Sequence, residues 1–208
     1  MIPVEVALSF FGVAVLLALA PGPDNLFVLM QSAMCGRKAG MLVVLGLCTG
    51  LVGHTVAVAV GLAAVFAASQ AAFTVLKLAG AAYLVYLAWQ ALRSRGGARA
   101  DGKPAALTPR RLYRRGIIMN LTNPKVSLFF LAFLPQFTAP ARGSVALQTL
   151  ALGGLFMLAT LLVFGLLAWF SGSLGERLQS SPRIQRALDR LAGIVFLGLA
   201  VKLAVSGR

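Results

Sequence analysis

The chain has 208 residues, of which 59% are hydrophobic and 12% are charged, and its formal net charge is +14. No polar stretch is long enough to build a water-soluble domain around a core of its own, so the composition excludes a soluble globular protein. A basic nucleic-acid-binding protein gathers its cations on one solvated face. Here the basic residues lie scattered between apolar segments. We therefore predict one integral membrane domain over residues 1–208, with no nucleic-acid partner.

Six apolar segments predict membrane-spanning helices, because about 20 residues of helix cross the roughly 30 Å hydrocarbon core of a bilayer. They cover residues 6–34, 41–67, 71–92, 116–136, 145–171 and 187–205. Pro21, Gly22 and Pro23 interrupt the first segment. Ser181 and Pro182 have the composition of a helix cap and a first helical position ahead of the last segment. The sequence thus predicts an all-α polytopic membrane protein.

Lysine and arginine alternate along the connections between these spans. They are concentrated in the first, third and fifth connections, whereas the second has none and the fourth has Arg142 alone. By the positive-inside rule, the three basic connections face the cytoplasm and both termini face outward. Glycine and proline in the third connection, residues 93–115, favour a mobile loop over a packed module. Its arginines could bind anionic headgroups of membrane lipids, and membrane topology alone explains them about as well.

The chain also contains an internal repeat. Residues 1–92 hold three spans, residues 93–115 form the basic linker, and residues 116–208 hold three more spans, so the second half must be inverted in the membrane. Each half opens with a span that contains a proline, Pro23 in the first span and Pro124 in the fourth. Because proline removes a backbone donor, each of these helices breaks and leaves polar groups that only protein or a wet cavity can satisfy. We predict two inverted three-helix repeats with proline-broken first and fourth helices.

Matched broken helices in two inverted halves are typical of a transporter binding site. We predict that Gly22 and Asn123 cap two half-helices and that Pro23 and Pro124 occupy their first positions. The positive ends of both half-helices would then face one cavity and suit a substrate carboxylate. Prolines also bend purely structural membrane helices, so the prediction depends on their matched placement.

Asp24, Lys77 and Lys125 are the acidic and basic residues that these spans place in hydrocarbon, at a cost of about 3 kcal/mol each near the midplane. Asp24 complements the dipole of the helix that follows Pro23, whereas Lys125 opposes the dipole after Pro124 and needs an acidic partner or a ligand. We hypothesise that Asp24 binds the ammonium of a zwitterionic amino acid, and that Lys125 and the freed amides bind its carboxylate. The alternative is that Asp24 and Lys125 simply neutralise each other. Lys77 lies near the outer end of its span, which favours a side chain that reaches water.

Four uncharged or weakly basic residues complete the candidates. His54 is the sole histidine and could carry protons, although a lone buried histidine more often makes a structural hydrogen bond. Asn25, Asn120 and Asn123 place amides beside the two breaks, where they could cap half-helices or bind substrate. The scattered acids, the lone histidine and the lack of a Walker-type phosphate loop in this sequence predict no metal site, no cofactor and no enzyme activity.

Small residues on the second span predict close helix packing. Gly46 and Gly50 lie one helical turn apart, and together with Gly53 they form a surface without side chains. Such a surface lets another helix approach closely, and we expect the third span to do so at Gly80.

Three motifs of this chain are shared with a known family. They are PGPDNLFVL at residues 21–29, KLAGAAYLVYLA at residues 77–88 and NLTNPKVSLFFLAFLPQF at residues 120–137. Together they resemble the LysE/RhtB family of amino-acid exporters, and size, span number and motif order extend the resemblance over nearly the whole chain. The resemblance implies a multi-pass protein of the bacterial inner membrane that expels an amino acid such as lysine, homoserine, threonine or leucine in exchange for protons.

The sequence therefore predicts a secondary transporter whose halves rearrange around a midplane cavity while a proton gradient drives an amino acid outward. The predicted substrate-binding residues are Pro21, Gly22, Pro23, Asp24, Asn25, Asn120, Asn123, Pro124 and Lys125. The candidates for proton coupling are Asp24 and His54. Two other classes remain open, a membrane-embedded enzyme acting on a lipid and a non-transporting assembly subunit. Self-association as a homo-oligomer also remains open.

Overall fold

The computed structural model describes residues 2–20, 22–68, 70–93, 107–171 and 181–205, and within these ranges the regular structure is helical, with no strand. The helices are α1 (Val4–Leu19), α2 (Pro23–Cys35), α3 (Arg37–Ala68), α4 (Gln70–Arg93), α5 (Pro109–Thr122), α6 (Pro124–Leu128), α7 (Val145–Trp169) and α8 (Pro182–Val205). A π-helical turn (Phe129–Phe133) and a 3-10 turn (Leu134–Phe137) continue α6, and a second 3-10 turn (Pro140–Arg142) precedes α7.

Length and composition make several of these helices candidates for membrane spans. The Arg37–Gly61 part of α3 and all of α7 are long and apolar enough on their own. Two bent pairs qualify when each is counted as one span, α1 with α2 at 64° and α5 with the Pro124–Phe137 stretch at 50°. The described chain thus holds two to four candidate spans, as a multi-pass membrane protein requires.

Both predicted helix breaks are confirmed. The first apolar segment divides into α1 and α2, with Gly22 as the cap of α2 and Pro23 in its first position. The fourth segment divides in the same way, with Asn123 as the cap of α6 and Pro124 in its first position. The last helix begins at Pro182, as the sequence predicted. Local proline chemistry was therefore a reliable guide to where these helices begin.

The basic linker is shorter than predicted. Because α5 begins at Pro109, residues 109–115 are helical, although their composition had been assigned to a loop. A proline in the first position is preorganised for a helix, and Leu112 buries its side chain in the core. The arginines of these turns are exposed. The rest of the predicted loop, residues 94–106, lies outside the described residues.

Helices from the two halves of the sequence interleave. Helix α3 packs against α5 and α7, α1 packs against α7, and α4 packs against α8. Each of these contacts joins the first half of the chain to the second. The fold therefore does not separate into two independent three-helix bodies.

Buried side chains form two apolar clusters. The first contains a group of phenylalanine rings, namely Phe10, Phe129, Phe130, Phe133, Phe137 and Phe156. The second is mainly aliphatic and draws on α2, α3, α5 and the last turns of α7. Helix α7 contributes to both, with Phe156 in the first cluster and Phe164 in the second. The boundary between the clusters therefore crosses the middle of α7.

The glycines of α3 do pack closely, but against α5. A Cβ atom at Gly46 would lie 3.0 Å from the Cα atom of Gly116, and one at Gly50 would lie 2.7 Å from the side chain of Asn120. The expectation that the third span approaches here at Gly80 was wrong, since α5 occupies that place and α4 packs against α8. A glycine surface permits a close approach, and the helix that carries its own glycine at the crossing comes nearest.

Candidate functional site

The two helix breaks meet through a buried hydrogen bond. Asn123 Nδ2 donates to Asp24 Oδ2 at 2.6 Å, which joins the cap of α6 to the first turn of α2. Asp24 and Asn123 are 4% and 5% exposed. Asn123 Oδ1 also accepts the backbone N–H of Lys125 at 3.0 Å. One asparagine therefore caps its own half-helix and binds a carboxylate at the start of the other.

Lys125 reaches in the opposite direction, from the second break to the first. Its Nζ atom donates to the carbonyl oxygens of Leu17 at 3.2 Å and Ala20 at 3.1 Å. These carbonyls lie at the C-terminal end of α1, where they lack intrahelical partners and where the helix dipole is negative. The sequence indicated that Lys125 needs an acidic partner or a ligand. In the structure, the free carbonyls of the broken helix partner its ammonium group.

The charges of Asp24 and Lys125 lie close together, but each is held separately. Among the residues that the structure describes, no direct ion pair joins them, and each binds a group of the opposite half. Oδ1 of Asp24 is buried with no hydrogen-bond partner in the described chain. The site thus offers one free carboxylate oxygen and one ammonium group in a mostly apolar interior.

A small cavity lies between the two breaks. The volume that the centre of a water molecule can occupy is about 20 Å³, which is room for roughly one water. Its wall consists of Leu17, Ala18, Asp24, Leu47, Asn120, Lys125, Val126, Phe156, Thr160 and Phe164. Both halves of the chain therefore contribute charged and apolar groups to one space.

Of the other predicted polar residues, Asn120 lines the cavity, whereas Asn25 and His54 are not part of its described wall. Asn25 Nδ2 donates to the carbonyl of Ala18 at 2.8 Å and so ties α2 to the end of α1. Asn120 lines the cavity, is 3% exposed, and its Oδ1 has no partner within the described ranges. His54 Nε2 donates to the backbone carbonyl of Asn120 at 3.3 Å, and its ring stands 5.7 Å from that of Phe130. His54 therefore supports the backbone of the site from outside the cavity.

Glycine and proline shape the breaks without lining the cavity. A Cβ atom at Gly22 would lie 3.4 Å from Lys125 Nζ, which is an ordinary contact distance, and the φ of −169° suits any residue, so neither space nor backbone conformation requires glycine there. Pro23 and Pro124 are exposed and are not part of the described cavity wall. Pro21 and the side chain of Lys77 lie outside the described residues.

Helix α7 provides a wall of the cavity that was not predicted from the sequence. Phe156, Thr160 and Phe164 are spaced by one helical turn, so they lie on one face of the helix, and all three line the cavity. Thr160 is a buried polar residue in an otherwise apolar stretch, which is the signal that could have found it. Among the described residues, no group of three or more histidine, cysteine, aspartate or glutamate side chains could hold a metal ion.

Comparison with known proteins agrees with the motifs. The model of the LysE type translocator family matches residues 8–207. A homoserine/homoserine lactone efflux protein of Salmonella typhimurium is 34% identical over 192 residues, which cover 91% of this chain and 91% of that protein. A leucine efflux protein of Enterobacter sp. is 29% identical over 196 residues, covering 92% of this chain and 91% of that one.

A third relative extends the match to almost the full length. An uncharacterized membrane protein of Vibrio cholerae is 34% identical over 204 residues, 98% of each chain. No solved structure matches the chain. The resemblance seen in the three motifs is therefore confirmed, and the chain belongs to the LysE type translocator family.

Proposed function

We propose that this protein exports an amino acid across the bacterial inner membrane, in exchange for protons, from a site between the two helix breaks. The observation that carries the proposal is the crossed pair of contacts, Asp24 with Asn123 and Lys125 with the end of α1. Charges buried in a membrane are costly and usually functional. The names of the homoserine and leucine efflux relatives support an amino acid as the substrate.

We infer that the chain forms six spans in two inverted repeats, α1–α2, α3 and α4 in the first and α5–α6, α7 and α8 in the second. The helix contacts support this relation. If each helix is replaced by its counterpart in the other repeat, the α3–α5 contact becomes the α7–α1 contact. The α3–α7 and α4–α8 contacts are unchanged by this replacement. Helices α4 and α8 are also equal in length, at 24 residues each. The distribution of basic residues favours termini on the outside.

A zwitterionic amino acid suits the polar groups of the cavity. Oδ1 of Asp24 and Oδ1 of Asn120 are buried acceptors without partners in the described chain, and an ammonium group offers three N–H donors. The substrate carboxylate would bind the ammonium of Lys125 in a charge-assisted hydrogen bond. To form that bond, Lys125 exchanges its contacts with the α1 carbonyls for contacts with the ligand.

The size of the cavity explains why movement is needed. Room for roughly one water cannot hold an amino acid, so the cavity must enlarge before a substrate can bind. Asn123 and Lys125 hold the two breaks together by contacts with Asp24 and with the end of α1. The charged ends of a substrate would compete for those same groups. Binding therefore favours a state in which the two breaks have moved apart, as alternating access requires.

Asp24 is the first candidate for the coupling proton, because its free oxygen lines the cavity that the substrate would share. His54 is a candidate because it contacts the backbone of Asn120. It ranks second because it is not part of the described cavity wall. Protonation of Asp24 would remove the charge that binds the ammonium group. An inward proton and an outward amino acid would then use the same carboxylate in turn.

Proteoliposomes test the proposal directly. Purified protein is reconstituted into vesicles loaded with a mixture of amino acids, the outside is made acidic, and the amino acids that leave are measured. We expect efflux that slows when a proton ionophore removes the proton gradient, because the outward concentration gradient of the amino acids is then the remaining driving force. Protein-free vesicles are the control. If no amino acid leaves faster than from those vesicles, the proposed function is wrong.

A further inference from the structure

The cavity has an apolar side that the proposed binding of the amino and carboxyl groups does not use. Phe156, Thr160 and Phe164 of α7 form this side, which we call the α7 wall. The three residues are 3%, 3% and 5% exposed, so their side chains belong to the protein interior. They lie at the boundary between the two apolar clusters, where separation of the helices would enlarge the cavity.

The charges of the cavity leave none for a substrate side chain. Asp24 and Lys125 are the charged residues of the described wall, and the ammonium and carboxylate of any amino acid would engage them. Asn120 and Thr160 are polar but uncharged, and the other lining residues are apolar. A lysine or glutamate side chain would bring a third charge into this space without an opposite charge to pair with. Burial of an unpaired charge is strongly unfavourable, whereas burial of an aliphatic side chain is favourable.

We propose that the protein exports neutral amino acids, that the α7 wall holds their side chains, and that Thr160 sets the preference between hydroxylated and aliphatic substrates. This inference rests on the proposed function and names the substrate class of the same site. A threonine hydroxyl in a helix can bond its own backbone and still offer an oxygen to a ligand. Thr160 can therefore bind the hydroxyl of homoserine, while the flanking phenylalanine rings pack against leucine.

The first test is selectivity of the wild-type protein. Proteoliposomes are loaded with equal concentrations of leucine, homoserine, lysine and glutamate, and efflux of each is followed under a proton gradient. We expect leucine and homoserine to leave at least about tenfold faster than lysine or glutamate. Lysine or glutamate efflux at the rate of leucine overturns this inference and leaves the proposed function intact. Efflux of none of the four contradicts the proposed function instead.

The second test removes the hydroxyl of the α7 wall. Thr160→Val keeps the shape of the side chain, and we expect the ratio of homoserine to leucine efflux to fall about fivefold, the effect of one hydrogen bond. Thr149→Val is the matched control, because Thr149 is buried on the same helix, donates to the carbonyl of Val145 and is outside the described cavity wall. An unchanged ratio in Thr160→Val, or an equal shift in Thr149→Val, overturns the role of Thr160.

The third test adds a charge. Thr160→Asp gives the α7 wall a partner for a cationic side chain, and we expect the ratio of lysine to leucine efflux to rise about tenfold. The variant must elute from gel filtration as the wild-type protein does. A folded variant with an unchanged ratio overturns the assignment of the wall to substrate side chains. If the variant does not fold, the wild-type selectivity and Thr160→Val decide the question.

Discussion

The two helix breaks have the same proline chemistry but are closed in different ways. At the second break, the side chain of Asn123 caps α6 and also binds Asp24 across the site. At the first break, Gly22 has no side chain, and the carbonyls at the end of α1 are bound by Asn25 and Lys125. The second break is therefore closed by its own cap, whereas the first depends in part on a lysine from the other half.

Because of this difference, we expect the two breaks to keep different polar contacts during transport. If the two breaks move apart, as the proposed export mechanism requires, α6 keeps its cap because the bond from Asn123 to the backbone of Lys125 is local. The end of α1 then loses the ammonium of Lys125 and retains Asn25. We therefore expect the first break to change its polar contacts during transport and the second to act as a fixed support.

We expect Lys125→Met to have the largest effect on efflux. The substitution leaves the carbonyls of Leu17 and Ala20 without the ammonium and removes the cation that would bind the substrate carboxylate. We expect leucine efflux from proteoliposomes to fall about 100-fold, because a buried charge-assisted contact is lost. Lys38→Met, which changes an exposed lysine on α3, is the matched control and should stay within about twofold. Efflux above about a tenth of the wild-type rate in Lys125→Met contradicts the assignment.

Asp24→Asn has the next largest expected effect. The new amide keeps the shape and can still accept from Asn123, but it lacks the charge that binds an ammonium group. We expect efflux to fall about 30-fold with little change in Tm, because the lost charge matters to the ligand more than to the fold. Glu5→Gln, at an exposed acid in the first turn of α1, is the control.

Exchange of the two charges separates ligand binding from mutual neutralisation. If Asp24 and Lys125 bind the two ends of a substrate, the double variant Asp24→Lys, Lys125→Asp should fold and remain inactive. Recovery of efflux in the double variant would instead show that the two charges serve mainly to neutralise each other.

The stabilities of two variants test whether the second break is closed more tightly than the first. Asn123→Ala removes a helix cap and a charge-assisted hydrogen bond, and we expect it to lower the free energy of unfolding by about 3 kcal/mol. Asn25→Ala removes one hydrogen bond to a carbonyl and should cost about 1 kcal/mol. Thermal unfolding in detergent measures both. Equal losses would mean that the two breaks are closed equally well.

The smallest effect is expected for His54→Gln. Glutamine can still donate to the backbone carbonyl of Asn120, which is the contact that His54 makes. We expect efflux within about twofold of wild type and a retained dependence on pH, since Asp24 is the leading candidate for the proton. Loss of the pH dependence would transfer that role to His54.

Sequence alone was enough to locate the breaks, because caps and prolines act within a few residues of each other. It could not identify the partner of Lys125, since the carbonyls of Leu17 and Ala20 become available only where α1 ends. It also missed Thr160, because a lone threonine in an apolar helix commonly bonds its own backbone and is therefore only a weak signal for a binding site. Only the packing of α7 against the breaks shows that Thr160 faces the cavity.

The choice of helix neighbours was equally beyond the sequence. Three glycines on α3 specified a close approach, but nothing local specified which helix would make it. The answer depends on a second glycine, Gly116, that lies far along the chain on α5. Long-range pairing of this kind needs the whole fold.

That crossing has a mechanical consequence. A Cβ atom at Gly116 would clash with the carbonyl of Val43 and lie 3.0 Å from the Cα atom of Gly46. Hydrogen atoms, rather than interlocking side chains, therefore set the spacing of α3 and α5 at this point. The two backbones are therefore in direct contact here, and a larger residue in place of either glycine would push α3 and α5 apart.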